Sequence, residues 1–138
     1  MDEPGRALRW RERLSTVDHI LVAELDREVV GFVSGGAIRE PLAGYDAELH
    51  AIYLLVGSQR TGMGTSLLIE LAHRLDEAGF KSMAVWLFEA NVAAHFYEKS
   101  GAVRIGAKER EIGGVRLPLL AYGWPNIKSI AACRRDNG

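Results

Sequence analysis

Between Ile52 and Ala78 the chain passes from a continuous apolar run, through a turn rich in glycine, into a segment whose leucines recur at helical spacing. The run is Ile52 to Val56, the turn is Gln59-Arg60-Thr61-Gly62-Met63-Gly64, and Leu67, Leu68, Leu71 and Leu75 fall on one helical face. A strand that turns through glycines into a helix leaves several backbone N–H groups without partners. It also aims the positive end of the helix dipole at one small volume, which suits phosphate. A nucleotide-triphosphate loop needs a lysine after its last glycine, whereas Thr65 and Ser66 follow Gly64. A dinucleotide fingerprint needs glycine or alanine where Leu67 stands, and it opens a fold instead of following two antiparallel strands. What remains is a cradle for a pyrophosphate at a helix start within a mixed sheet.

The flanking segments supply that sheet. Pro4 to Leu14 reads as a short helix, with proline in its first turn and Ala7, Trp10 and Leu14 on one face. His19 to Leu25 and Val29 to Ser34, joined by Asp26-Arg27-Glu28, form an antiparallel hairpin, with a bulge or bend at Gly35-Gly36. Arg39 to Asp46 carries Pro41 and Gly44 and reads as a loop, with Tyr45 and Asp46 as candidate substrate contacts or plain solvated residues. Ala47 to Val56 is the longest strand candidate. Its alternation puts Glu48, His50, Ile52 and Leu54 on one face and Leu49, Tyr53 and Leu55 on the other. A helix over Thr65 to Ala78 ends at Gly79, Phe80 to Phe88 is a buried strand, and Asn91 caps a second helix that Gly101 terminates. Strand, helix and strand in this order call for a parallel crossover. Ala102 to Ile112 and Val115 to Trp124 close the fold as a hairpin around Gly113-Gly114. One domain over residues 1–125 and a tail over 126–138 follow from the loss of periodicity after Trp124.

Composition removes several classes of function. The chain has 138 residues, 48% of them apolar and 25% charged, which is enough for a core without disulfides or metals. A formal charge of −1 gives no basis for a nucleic-acid or anionic-membrane surface, and the short basic clusters at Arg6 to Arg13 and at Lys128, Arg134 and Arg135 read as solvated. The single cysteine, Cys133, forbids an internal disulfide and points to the cytoplasm. No signal peptide or membrane-length apolar run is expected, and the four histidines show no metal-ligand spacing, so no metal is expected either.

The two linked segments carry a resemblance. Ile52-Tyr53-Leu54-Leu55 with Gln59 to Gly64 and Leu67-Leu68 is similar to the acyl-CoA signature of the GNAT superfamily of acetyl-CoA-dependent N-acetyltransferases. Val85-Trp86-Leu87, Asn91, Ala94, Phe96-Tyr97-Glu98-Lys99 and Gly101 resemble its second signature at the family's spacing, and the likeness spans His19 to Trp124. It implies an α+β fold: the acyl-CoA N-acyltransferase fold, a central, mostly antiparallel mixed sheet with helices on both faces. It implies an acyltransferase that uses acetyl-CoA. The main chain of Leu54 and Val56 would pair with the pantetheine arm like an added strand. Amides of Arg60, Thr61, Gly62, Met63, Gly64 and Thr65 would hold the pyrophosphate. Asn91 would bond the arm near its thioester, Tyr97 would stand beside the sulfur, and Leu55, Gln59, Ala94 and Lys99 would complete the cofactor surface. Two departures stand out: Val56 occupies a position where the family often has proline, and the family's usual first strand and helix are missing. Either the chain has been shortened there, or a second subunit covers the exposed hairpin edge, as in a homodimer.

Acetyl transfer to an amine needs a neutral nucleophile, an oxyanion donor and a proton for the departing thiolate. Glu48 is the candidate base, six residues from Leu54 and on the order of 20 Å along an extended strand, so that a water relay or a bent strand is required. Leu54 N–H is the candidate oxyanion donor and Tyr97 the candidate general acid. Each has a plainer reading: Glu48 as a carboxylate paired to an arginine such as Arg39, Tyr97 as a core aromatic beside Phe96, and Asn91 as a helix cap only. His50 is an alternative base or a structural histidine, and His95 faces solvent. With no cysteine in a motif, transfer is direct, in a ternary complex, to a small-molecule amine or to a protein or peptide amino group. The competing reading is a non-catalytic acyl-CoA-binding sensor or scaffold.

Overall fold

Asp26 and Arg27 both take positive φ, 53° and 69°, and this two-residue turn sets the hairpin from which the sheet grows. The computed structural model describes residues 8–14, 18–59 and 62–131. Its strands are β1 (Leu8–Leu14), β2 (Asp18–Leu25), β3 (Glu28–Leu42), β4 (Tyr45–Leu54), β5 (Met83–Phe88), β6 (Val103–Ile112) and β7 (Val115–Trp124). Its helices are α1 (Met63–Glu77), α2 (Ala93–Lys99) and α3 (Ile127–Ala131). The seven strands lie in the order β1-β2-β3-β4-β5-β7-β6, antiparallel except where β4 meets β5 across α1. The expected hairpins, parallel crossover and leucine-faced helix are present, and Gly79 and Gly101 end their helices at φ of 101° and 100°.

Several expectations need correction. The described part of Pro4 to Leu14 is a strand, and residues 1–7 lie outside the described residues. Leu8, Trp10 and Glu12 alternate with Arg9 and Arg11, and pairing with β2 satisfies an edge that a helix would leave bare. Glu12 then clips β1 down: one carboxylate oxygen accepts from Arg74 Nη1 on α1 at 2.8 Å, and the other lies 2.7 Å from His19 Nδ1 on β2. The bare hairpin edge is therefore covered by the chain itself. The predicted loop at Arg39 to Asp46 is largely strand, making β3, with 15 residues, the longest. Its ladder to β4 lapses between Ala37 and Leu42, which is where Pro41, lacking an N–H, is tolerated. The predicted tail begins with α3, whose Ile127 and Ile130 are buried in the core. The strand predicted from Phe80 starts only at Met83.

The faces of β4 also differ from simple alternation. Gly31 pairs with Leu54 and Gly35 with Leu49, and a Cβ at either glycine would meet α1: Leu67 Cδ1 at 3.3 Å from Gly31, Leu71 Cδ2 at 2.9 Å from Gly35. Leu49 and Leu54 thus share the α1 face although they are five residues apart. The register shift at Ser34/Gly35 inserts His50 as an extra residue, so the bulge inferred from Gly35-Gly36 is real but its surplus residue sits on β4. Glu48 consequently points to the face opposite Leu54.

All three described helices lie on one face, where helices on both were expected. Leu67, Leu71 and Leu75 of α1, Tyr97 of α2 and Ile127 and Ile130 of α3 join one core with Leu21, Val33, Leu49, Met83 and Trp124. Part of the other face is covered by the tip of the β3–β4 hairpin. Tyr45 packs so closely over Gly123 of β7 that a Cβ there would lie 2.6 Å from its ring, and Glu40 pairs with Lys108 of β6.

Candidate active site

β4 and β5 pair only at Ala47 with Met83 and Glu48 with Ala84, then separate, although β4 continues to Leu54 and β5 to Phe88. Asp46 fixes the closed end of this wedge. Its carboxylate accepts from the backbone N–H groups of Lys81 (2.9 Å) and Ser82 (3.0 Å) and from the Ser82 hydroxyl (3.1 Å). Burial raises the pKa of Asp46, but these donors outweigh it and hold the carboxyl below its ordinary value. Asp46 is thus committed to the scaffold, and Tyr45 to packing on Gly123.

A cavity of about 440 Å³ fills the wedge, lined from both faces of the sheet. Asn91, Ala93 and Tyr97 line it from the helical side; His50, Trp86, Phe88, Arg110 and Leu119 line it from the other. Leu55 N–H donates to Val30 at 2.9 Å, so by antiparallel alternation the N–H groups of Leu54 and Ile52 point away from β3, toward the wedge. Leu54 C=O accepts from the Gln59 side chain at 3.1 Å. Val56 does not extend the strand: it opens a 3-10 turn, Val56–Ser58, and its carbonyl accepts from Gln59 N–H.

Glu48 does not line the cavity; His50 does. The Glu48 carboxylate accepts from the backbone N–H of Arg39 at 3.0 Å, while the Arg39 guanidinium turns to Asp18 at 3.6 Å. The His50 side chain, 4% exposed, sits with Nδ1 3.3 Å from Asp18 and Nε2 4.0 Å from Glu48. Neither contact has hydrogen-bond alignment, so among the described residues both ring nitrogens are buried without a partner, as is Trp86 Nε1. Buried polar atoms of this kind are rare unless a ligand or water completes them. Sequence reasoning ranked Glu48 above His50 because the bulge that brings His50 to the cavity has no signature of its own in β4.

Tyr97 is 5% exposed and stands edge-on to Trp124, ring centroids 5.7 Å apart at 89°. Burial pushes its phenol up to about 12. Val92 stands at the cap position of α2 with no side-chain cap bond, and one residue earlier the Asn91 side-chain oxygen accepts from Ala93 N–H at 2.8 Å, a turn leading into the helix. His95 is solvent-facing, and Lys99 is exposed in the last turn of α2.

At the start of α1, Gly62 has φ 84° and no side chain caps the helix. Among the described residues, Ser66 is the first of α1 whose N–H bonds back, to Gly62, and the amides of Met63, Gly64 and Thr65 make up the first turn, at the positive end of the helix. No acidic residue occupies that first turn. A side chain at Gly64 would meet Phe96 of α2 at 3.6 Å. Arg60 and Thr61 lie outside the described residues. Among the described residues no cluster of His, Cys, Asp or Glu is arranged to hold a metal, and no helix is long and apolar enough to cross a membrane.

The sheet is thus splayed between two parallel strands, with an uncapped helix start after β4 and a cavity in the opening. The model of the acetyltransferase (GNAT) family matches residues 1–102, and the chain belongs to that family. It is accordingly an acyltransferase of the acetyl-transferring kind. It is 40% identical over 123 residues, 88% of this chain and 70% of the relative, to the uncharacterized N-acetyltransferase YuaI of Bacillus subtilis (strain 168). A ribosomal-protein-alanine N-acetyltransferase from Brucella melitensis matches with a TM-score of 0.64 at 26% identity, over 78% of this chain and 68% of that one. A Bacillus subtilis acetyltransferase solved in complex with CoA matches with a TM-score of 0.67 at 12% identity, over 85% and 97%.

Proposed function

We propose that this protein transfers the acetyl group of acetyl-CoA directly to a primary amine in a ternary complex, in the cytoplasm. The observation that carries the reading is the cavity between β4 and β5, lined by Tyr97 on one face of the sheet and by His50 on the other. A co-substrate and an acceptor approaching from opposite faces meet in such a cavity without a covalent enzyme intermediate. The residues fit the co-substrate. The uncapped first turn of α1, Met63, Gly64 and Thr65 after Gly62, suits a pyrophosphate, and Arg60 and Thr61 precede it in the chain. The free edge of β4 at Ile52 and Leu54 suits the amide groups of a pantetheine arm, and Leu55, Gln59, Asn91 and Ala94 border its path. Acetyl-CoA supplies an activated thioester; the rest of the chemistry falls to the chain.

Leu54 N–H, fixed by the strand, donates to the developing oxyanion. His50 takes the proton of the amine as the C–N bond forms. Asp18 and Glu48 flank the imidazole, 3.3 Å from Nδ1 and 4.0 Å from Nε2, so Glu48 acts through His50 and is a positioning residue. The Tyr97 O–H, in the cavity wall, would donate to the thiolate sulfur that keeps the electron pair of the broken C–S bond. Full transfer from a phenol at about 12 to a thiolate whose conjugate acid lies near 8.5 is uphill, so Tyr97 acts chiefly as a hydrogen-bond donor to the sulfur.

Coenzyme A release with a panel of amines and peptides tests this. His50→Gln is expected to lower kcat about 100-fold and Tyr97→Phe about 10-fold, with acetyl-CoA affinity within about threefold of wild type. Tight acetyl-CoA binding with no turnover of any acceptor would overturn the enzymatic reading in favour of a binding module.

A further inference from the structure

Arg110 lies in neither signature segment, yet it reaches the cavity. It stands on β6 two residues from Lys108, on the face that carries Trp86 and Phe88 of β5 through the pairs Lys108–Leu119 and Leu119–Phe88. The Lys108 charge is used: it pairs with Glu40 and lies 4.3 Å above the Trp86 ring. The Arg110 charge is not. Glu109 and Glu111 project to the opposite face by strand alternation, Glu109 pairs with Arg116, and no carboxylate among the described residues pairs with Arg110. Among those residues, Arg110 is the one permanently charged side chain in the cavity wall, and no acid lines it.

The cofactor does not account for this charge. The phosphate cradle at α1 lies on the helical face of the sheet, and Arg110 lies on the other. On β4 the same cavity is lined by His50, with two buried, unpartnered nitrogens backed by Asp18 and Glu48, and on β5 by Trp86, with a buried, unpartnered N–H. One wall thus suits an amine and its proton, while the other suits an anion. A guanidinium matches a carboxylate with two parallel hydrogen bonds. The cavity, at about 440 Å³, has the size of a small-molecule site.

We propose that the acetyl acceptor is a small amino carboxylate, a free amino acid or a close analogue, whose amine meets His50 and whose carboxylate is held by Arg110. This rests on the acetyltransferase reading above and narrows its acceptor. A peptide N-terminus carries no carboxylate beside its amine and is disfavoured.

Coenzyme A release is measured for each protein amino acid, its carboxamide and its decarboxylated amine, with short peptides alongside. For the best acceptor, kcat/KM is expected to favour the acid over its carboxamide at least tenfold. In Arg110→Gln the KM for the acid rises about 10- to 100-fold and the acid-to-carboxamide ratio collapses toward one, and Arg110→Lys restores part of it. Acetyl-CoA binding by calorimetry establishes that each variant is folded. Turnover of amides, amines or peptides equal to or better than that of acids overturns the carboxylate assignment and leaves the transferase reading standing. An unchanged ratio in Arg110→Gln removes Arg110 from the site. Absence of turnover with every amine, despite acetyl-CoA binding, overturns both.

Discussion

Tyr97 combines a core position with a place in the cavity wall, and its titration separates the two roles. Its folded value of about 12 lies above the ordinary 10.0, because burial disfavours the phenolate. The native state therefore keeps a proton that the unfolded chain loses. The corresponding stability is complete below pH 10 and disappears as pH rises toward about 12. Chemical denaturation of wild type and Tyr97→Phe across this range is expected to show a steeper alkaline loss in wild type. Parallel curves would mean that the phenol is not buried in the native protein. It also follows that no alkaline decline of kcat below pH 10 originates in Tyr97, so any such limb persists in Tyr97→Phe. His50 is the complementary case: a chain position with no local signature reaches the cavity wall, its nitrogens enclosed between two carboxylates and aligned to neither.

At the level of elements, the wedge between β4 and β5 is open because the ladder stops after two pairs, and Asp46 holds its apex against the start of β5. Asp46→Ala removes an acceptor for two backbone amides and a hydroxyl, and is expected to cost about 1–3 kcal/mol in urea unfolding at neutral pH. Because the native carboxyl titrates below its ordinary 3.8, that contribution is present above this value and lost as pH falls through the native value. The stability gap between wild type and Asp46→Ala should therefore narrow at acid pH. A gap that stays constant would assign the loss to packing and not to the carboxylate. Acetyl-CoA affinity in this variant reports how far the closed end of the wedge governs the open one.

Over the whole molecule, the cradle at α1, the free edge of β4 and the turn into α2 belong to different elements, and a ligand that engages all of them should tie them together. Acetyl-CoA at about 100 times its Kd is expected to add about 2.7 kcal/mol of stability, a rise of about 5–10 °C in Tm. Inorganic pyrophosphate, which reaches only the cradle, should give a much smaller shift. Equal shifts would mean that the strand edge and α2 contribute nothing, and no shift with acetyl-CoA would remove it as co-substrate.

The sequence by itself determined the elements whose signals are local. The apolar run into a glycine turn and a leucine-faced helix, the Asp26-Arg27 turn, the Asn91 turn and the Gly79, Gly101 and Gly113-Gly114 stops are all written in neighbouring residues, because turn and cap geometry depends on a few consecutive side chains. Those signals also carried the family. Tertiary structure alone decided what depends on residues far apart in the chain. Leu8 to Leu14 is a strand because β2 offers an edge, and α3 is ordered because α1 and β7 bury Ile127 and Ile130. The bulge opposite Gly35 moves Glu48 away from Leu54 and brings His50 to the cavity. Arg110 joins the site only because β6 and β7 fold back beside β5. Periodicity fixes which face a side chain takes only until one extra residue enters a strand, and pairing with a distant strand is what fixes where that residue goes.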